Sequence, residues 1–166
     1  MSVGGVVDEY IRALIECHMG FIRSSEPAKA SEYFRQCMSS VAVIAKACRN
    51  CGDIEGFVKT ELSKLVEKVV EFMEDVKDKP RQYAWLPRYD LSRVDYFVRN
   101  AKELLSDKDT DTIALLSRLS LLTDEVLRWS QPELIPPIKV LLDEFMNEIV
   151  VKIASSRASS IYVIME

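Results

Sequence analysis

Residues 58–76 constrain this chain more than any other stretch. Val58, Leu62, Leu65, Val69, Phe72 and Val76 alternate in steps of four and three. That is the heptad seam of a helix packed lengthwise on another helix. Lys59, Glu61, Lys64, Glu67, Lys68, Glu71 and Glu74 give the remaining surface a solvated character. Val66, Val70 and Met73 widen the stripe beyond a two-stranded seam, so the helix needs several neighbours and a bundle is expected.

The rest of the chain agrees with that expectation. Val7, Tyr10, Ile11, Leu14, Ile15, His18, Phe21 and Ile22 recur at helical spacing and predict a first helix from about Gly5 to Arg23. Ser24 or Ser25 is expected to cap the next, with Pro27 in its first turn. That helix carries Tyr33, Phe34, Cys37, Val41, Ile44, Ala45 and Cys48 on one side, with Gly52 as its stop and Asp53 as the following N-cap. The heptad helix ends before Pro80. A helix from Arg93 to about Ser106 would bury Val94, Phe97 or Tyr96, Val98, Ala101, Leu104 and Leu105. Another, from Thr112 to Trp129, would bury Leu115, Leu119, Leu122, Val126 and Trp129.

Ser130 and Glu133 form a capping box before a last helix. Pro136 and Pro137 restart that helix, because neither fits its interior. Ile138, Leu141, Leu142, Phe145, Ile149, Ile153 and Ala154 mark its apolar face. The fold expected is therefore all-α, a single-domain bundle of five or six amphipathic helices with antiparallel neighbours and no sheet. The bundle should occupy residues 1–154, with a connector at 80–91 and a tail at 155–166.

At 166 residues the chain can bury a core without disulfides or metal. Its net charge of −4 argues against wrapping nucleic acid over the whole surface. No apolar run has the length of a membrane span, and Asp8 and Glu9 interrupt the start too early for a signal peptide. A cytoplasmic protein is expected. Only three Asn and three Gln occur, beside abundant Glu, Lys and Arg, a composition that suggests a thermophile.

Four places could carry chemistry. Cys48 and Cys51 make a C-x-x-C, but at an expected helix C-terminus, where the dipole opposes a thiolate. Zinc would need two further ligands from Cys17, His18 and Cys37. An antiparallel turn near Ser25 brings Cys37 close to Cys17, whereas Cys48 lies about 16 Å further along the helix. Four ligands do not converge, so buried or idle thiols are expected, with a structural disulfide within or between chains as the alternative and metal or redox chemistry as the third. His18 is the single histidine and lies on the apolar face, where a hydrogen-bonded core role is expected.

Arg12 with His18 resembles the R-x(4–6)-H spacing of the HEPN ribonucleases. That resemblance implies a helical protein in which these residues from two subunits face an RNA phosphodiester. In that family the motif usually sits on a later helix, and here it opens the chain. Asp107, Asp109 and Asp111 mimic a calcium loop, but Thr112 and Arg118 replace the required Gly and Glu. Capping of the helix at Thr112 suits these aspartates better. No P-loop, dinucleotide fingerprint or hydrolase motif is present. No catalytic residue, metal or cofactor is expected.

The connector is the stronger surface candidate. Residues 77–93 hold five basic and two acidic residues, a net +3 inside a chain of −4. Lys79, Arg81 and Arg88 interleave with Tyr83, Trp85 and Tyr89. Such a mixture can grip single-stranded nucleic acid or form a protein hot spot. The apolar run Ile161, Tyr162, Val163 and Ile164 should dock on the bundle or on a partner, as a strand or as more helix. The sequence thus favours a non-catalytic interaction or assembly protein, a homodimer or a subunit of a larger complex. A nucleic-acid-binding accessory subunit is the alternative, and a HEPN-like ribonuclease the third reading.

Overall fold

The computed structural model describes residues 3–48, 51–79, 81–82, 91–106, 111–129 and 135–165. Side chains are described from residue 5 onward, except at 91–94, 123, 125–129, 135–137 and 157–165. Six helices follow one another: α1 (Val3–Arg23), α2 (Pro27–Ala47), α3 (Ile54–Asp78), α4 (Leu91–Ser106), α5 (Thr112–Trp129) and α6 (Ile135–Met165). No strand occurs among the described residues. The all-α bundle expected from the apolar periodicity is the observed fold.

The heptad helix α3 holds the central place its wide stripe demands. It packs on α4 and α6 and also touches α2 and α5. Val58, Leu62, Leu65, Val66, Val69, Val70, Met73 and Val76 are all buried. Around it, α1 packs on α2 and α6, and α2 on α5. One continuous core draws on all six helices, from Leu14 and Phe34 to Phe97, Leu116 and Ile149. Phe97 takes the core position on α4, and Tyr96 points outward.

Local details depart from the sequence reading in four places. Neither Ser24 nor Ser25 caps α2. Glu26 is its N-cap, without a side-chain bond, and Pro27 supplies a preset first turn. Gly52 does not stop α2, which ends at Ala47 with Cys48 as its C-cap. Gly52 instead turns the chain into α3 with a φ of 68°. Asp53 then caps α3 as expected, accepting from the Gly56 amide. The third departure is on α1, where Tyr10, Ile15 and Ile22 are exposed. The apolar arc of α1 is wider than its two neighbours can cover.

The fourth departure is the boundary at 154, since of its two expected forms the tail takes the helical one. Residues 155–165 do not separate from the last helix, and α6 continues through them to Met165. No Gly or Pro interrupts the chain after Pro137, so nothing in the backbone demands a stop. Ala154, expected in the core, is exposed, whereas Met146 is fully buried.

All four cysteines are paired. Cys17 on α1 and Cys37 on α2 form one disulfide, their Cα atoms 5.8 Å apart, and Cys48 and Cys51 form the other. Buried free thiols are therefore replaced by the structural alternative. Closing a loop of 20 residues restricts the unfolded chain and stabilises α1 against α2 by about 3 kcal/mol. Close helix contact follows from Gly20, where a Cβ would stand 2.5 Å from the Tyr33 ring.

Candidate functional site

The structure separates the sequence candidates rather than gathering them. His18 and Arg12 share α1, but only His18 is buried, and Arg12 is exposed. Six residues at about 100° each place the two side chains roughly 120° apart around the helix. His18 Nε2 lies 2.6 Å from Asp143 Oδ1 on α6. That contact ties the first helix to the last, and it supplies the partner a buried imidazole needs.

A second α1–α6 tie sits beside it. Lys139 donates to the carbonyl oxygens of Ile22, at 2.9 Å, and Ser24. Its ammonium also stands 5.6 Å from the Phe21 ring centroid. These carbonyls close α1, where a cation is favoured by the helix dipole. Burial holds the Lys139 ammonium below its ordinary range, with the Asp143 carboxylate acting in the opposite direction.

Of the connector candidates, Lys79 and Arg81 are described and exposed. Lys79 Nζ is 2.8 Å from Asp75, and Lys77 Nζ is 2.5 Å from Asp95. Hydrogen bonds to those carboxylates raise both lysines above their ordinary range. Tyr83, Trp85, Arg88 and Tyr89 lie outside the described residues. The side chains of Ile161, Tyr162, Val163 and Ile164 do too, although their backbone belongs to α6.

Asp111 takes the expected position before α5, with the Thr112 and Ile113 amides at its carboxylate. Asp107 and Asp109 lie outside the described residues. Among the described residues no cluster of His, Cys, Asp and Glu could hold a metal ion. No helix among them is long and apolar enough to cross a membrane.

The feature that sequence reasoning missed is an apolar ribbon on the outer side of α1. Ile15, Met19 and Ile22 are 42%, 44% and 49% exposed. Spacings of four and three residues set them on one side of the helix, with the partly buried Ile11 at its edge. Asp8, Arg12 and Arg23 are exposed along the same helix. The sequence signal was present, since the apolar residues of α1 cover more than one face. It was absorbed into a single core stripe.

Two open grooves lie among the described residues. One, of about 540 Å³ between α2 and α5, is lined by Met38, Ala42, Ile113 and Leu121 and ends at Arg35 and Asp124. The other, of about 320 Å³ between α3 and α6, is charged by Glu61, Lys64, Lys68, Glu144 and Glu148. Lys64 and Glu61 lie 3.2 Å apart, and Lys68 and Glu144 3.7 Å apart. Compared with known protein families, curated proteins and solved structures, the chain matches none.

Proposed function

We propose that the protein is a non-catalytic assembly module that works as a homodimer through the outer face of α1. The observation carrying this reading is the exposed ribbon of Ile15, Met19 and Ile22. Apolar side chains aligned on one helix face are expected to be covered by another surface. A second copy is the occupant that the charges favour. Two α1 helices laid antiparallel about a twofold axis at Ile15 would set Ile15 on itself and Ile11 against Met19. The same register would place Asp8 opposite Ile22 and Arg23, so opposite charges meet at both ends. An isologous interface requires this self-complementarity.

Four paired cysteines suit either an oxidising compartment or the cytosol of a hyperthermophile. The scarcity of Asn and Gln favours the second. Nucleic-acid binding by Lys79, Arg81 and the connector is a separate reading. Filter binding to single-stranded DNA and RNA across salt decides it.

Light scattering at two protein concentrations tests the dimer. The wild-type chain should have twice the monomer mass, and Ile15→Asp and Arg23→Asp should each weaken association at least about tenfold. Combining Asp8→Arg with Arg23→Asp should restore it. A wild-type monomer at both concentrations overturns the reading. A chain ending at Ser160 should remain dimeric, and loss of the dimer on that truncation would move the interface to Ile161, Tyr162, Val163 and Ile164.

A further inference from the structure

The two disulfides share one core but differ in access, because only the second has a partly exposed member, Cys48. Cys17 is 6% and Cys37 0% exposed, and both belong to the core between two helix interiors. A thiolate could reach either sulfur only if α1 came away from α2. The second pair closes a separation of only three residues, between the end of α2 and the start of α3. Cys51 is 0% exposed and belongs to the same core, whereas Cys48, the C-cap of α2, packs against that core and is partly exposed.

The junction around that second pair has other supports. Asp53 caps α3 through the Gly56 amide at 3.1 Å. Lys46 bridges from the last turn of α2 to Glu55 in the first turn of α3, at 3.0 Å. The same ammonium reaches Asp111 before α5, at 3.1 Å. A link across three residues also removes little entropy from the unfolded chain. Its opening therefore leaves the helices where they are.

We infer that Cys48–Cys51 is a thiol–disulfide exchange site for a dithiol reductant, while Cys17–Cys37 is an inert staple. The inference is independent of the dimer. Exchange starts when a reductant thiolate attacks Cys48 Sγ, in the more exposed residue of the pair. The Cys48–Cys51 bond breaks, Cys51 leaves as a thiolate, and a mixed disulfide joins Cys48 to the reductant. The second thiolate of the reductant then attacks its own sulfur in that mixed disulfide and closes an oxidised ring. Cys48 leaves as a thiolate, and both cysteines take protons released by the dithiol. Two electrons and two protons pass to the protein. Cys51 remains beside Cys48 and can reclose the bond when the dithiol pool is oxidised.

The test uses the folded, full chain with dithiothreitol as the dithiol, quenched by alkylation and mapped by peptide mass. Cys48 and Cys51 should be alkylated at least about tenfold faster than Cys17 and Cys37, as access governs exchange. The helical circular dichroism should not change, and oxidised dithiothreitol should restore the bond. In single variants, Cys51→Ser should take up glutathione at Cys48 more readily than Cys48→Ser takes it up at Cys51. Cys48→Ala with Cys51→Ala should melt well above Cys17→Ala with Cys37→Ala. The inference fails if both pairs open at the same rate, if Cys17–Cys37 opens first, or if Cys48–Cys51 opens only as helicity is lost. It also fails if Cys48 and Cys51 are alkylated without reductant, if the glutathione preference is reversed, or if the Cys48→Ala, Cys51→Ala chain melts below the Cys17→Ala, Cys37→Ala chain.

Discussion

His18 Nε2 and Asp143 Oδ1 meet at 2.6 Å across 125 residues of sequence. The imidazole belongs to a residue only 8% exposed, so the carboxylate meets a polar group that α1 has buried. Removing it leaves the other group without its partner. His18→Ala should cost about 2–3 kcal/mol, the loss of a buried ring plus its hydrogen bond. Asp143→Ala should cost less, because its side chain is 43% exposed. Chemical denaturation of both single variants and the double variant should give a coupling of about 1 kcal/mol. Additive losses would mean that the contact contributes nothing.

Gly20 and Tyr33 set how closely α1 approaches α2. A Cβ at Gly20 would fall 2.5 Å from the Tyr33 ring, a distance that forces the ring or the helix to move. Gly20→Ala should therefore destabilise by about 1–2 kcal/mol, despite the better helix propensity of alanine. In a Tyr33→Ala background the same change should instead stabilise by up to about 1 kcal/mol. Thermal melts of the four chains read the reversal of sign.

A small apolar cavity of about 20 Å³ lies among Leu65, Val66, Val69, Phe97, Ala101, Leu119, Leu122, Ile138 and Leu142. Val66→Ile adds one methylene there and should stabilise by about 0.5–1 kcal/mol. Ala101→Leu adds three carbons to the same space and should destabilise by about 1–3 kcal/mol through overpacking. Denaturant midpoints at unchanged slope would check both.

Lys46 links three helices, and its ion pairs give stability a defined pH window. Hydrogen bonds to Glu55 and Asp111 raise Lys46 above its ordinary value of 10.5. The Lys46 contact holds Asp111 below its ordinary 3.8. A depressed carboxylate contributes above its unfolded value, and the contribution disappears as pH falls through the folded one. A raised ammonium contributes below its unfolded value and loses the contribution as pH rises through the folded one. Lys46→Met should thus melt below wild type near neutral pH, with the gap closing in strong acid and in strong alkali. Added salt should narrow it as well.

The helices were legible because burial imposes a period on the sequence. Val58, Leu62, Leu65, Val69, Phe72 and Val76 announced α3, and all of them are buried except Phe72, which is partly so. Asp53 was legible as a cap because its hydrogen bond closes three residues away, at Gly56. Contacts that close far along the chain left no such trace. Nothing near His18 points to Asp143, and nothing near Ile22 points to Lys139. The Cys17–Cys37 approach was half-legible, since a turn near Ser25 brings the two levels together. Ile15 and Ile22 misled because an apolar residue at helical spacing looks the same whether it faces a core or an unoccupied surface. At residues 155–165 the sequence left strand and helix both open, because serine and alanine change the composition without ending a helix.

The Cys17–Cys37 bond closes residues 17–37 into a covalent ring that contains the turn between α1 and α2. A protease cutting that turn would open the ring without releasing a fragment. Both pieces would travel together until a reductant parted them, and α1 would keep its place and its outward ribbon. The turn at the exposed Ser25 and Glu26 is thus a site where the chain can lose a peptide bond and keep its architecture.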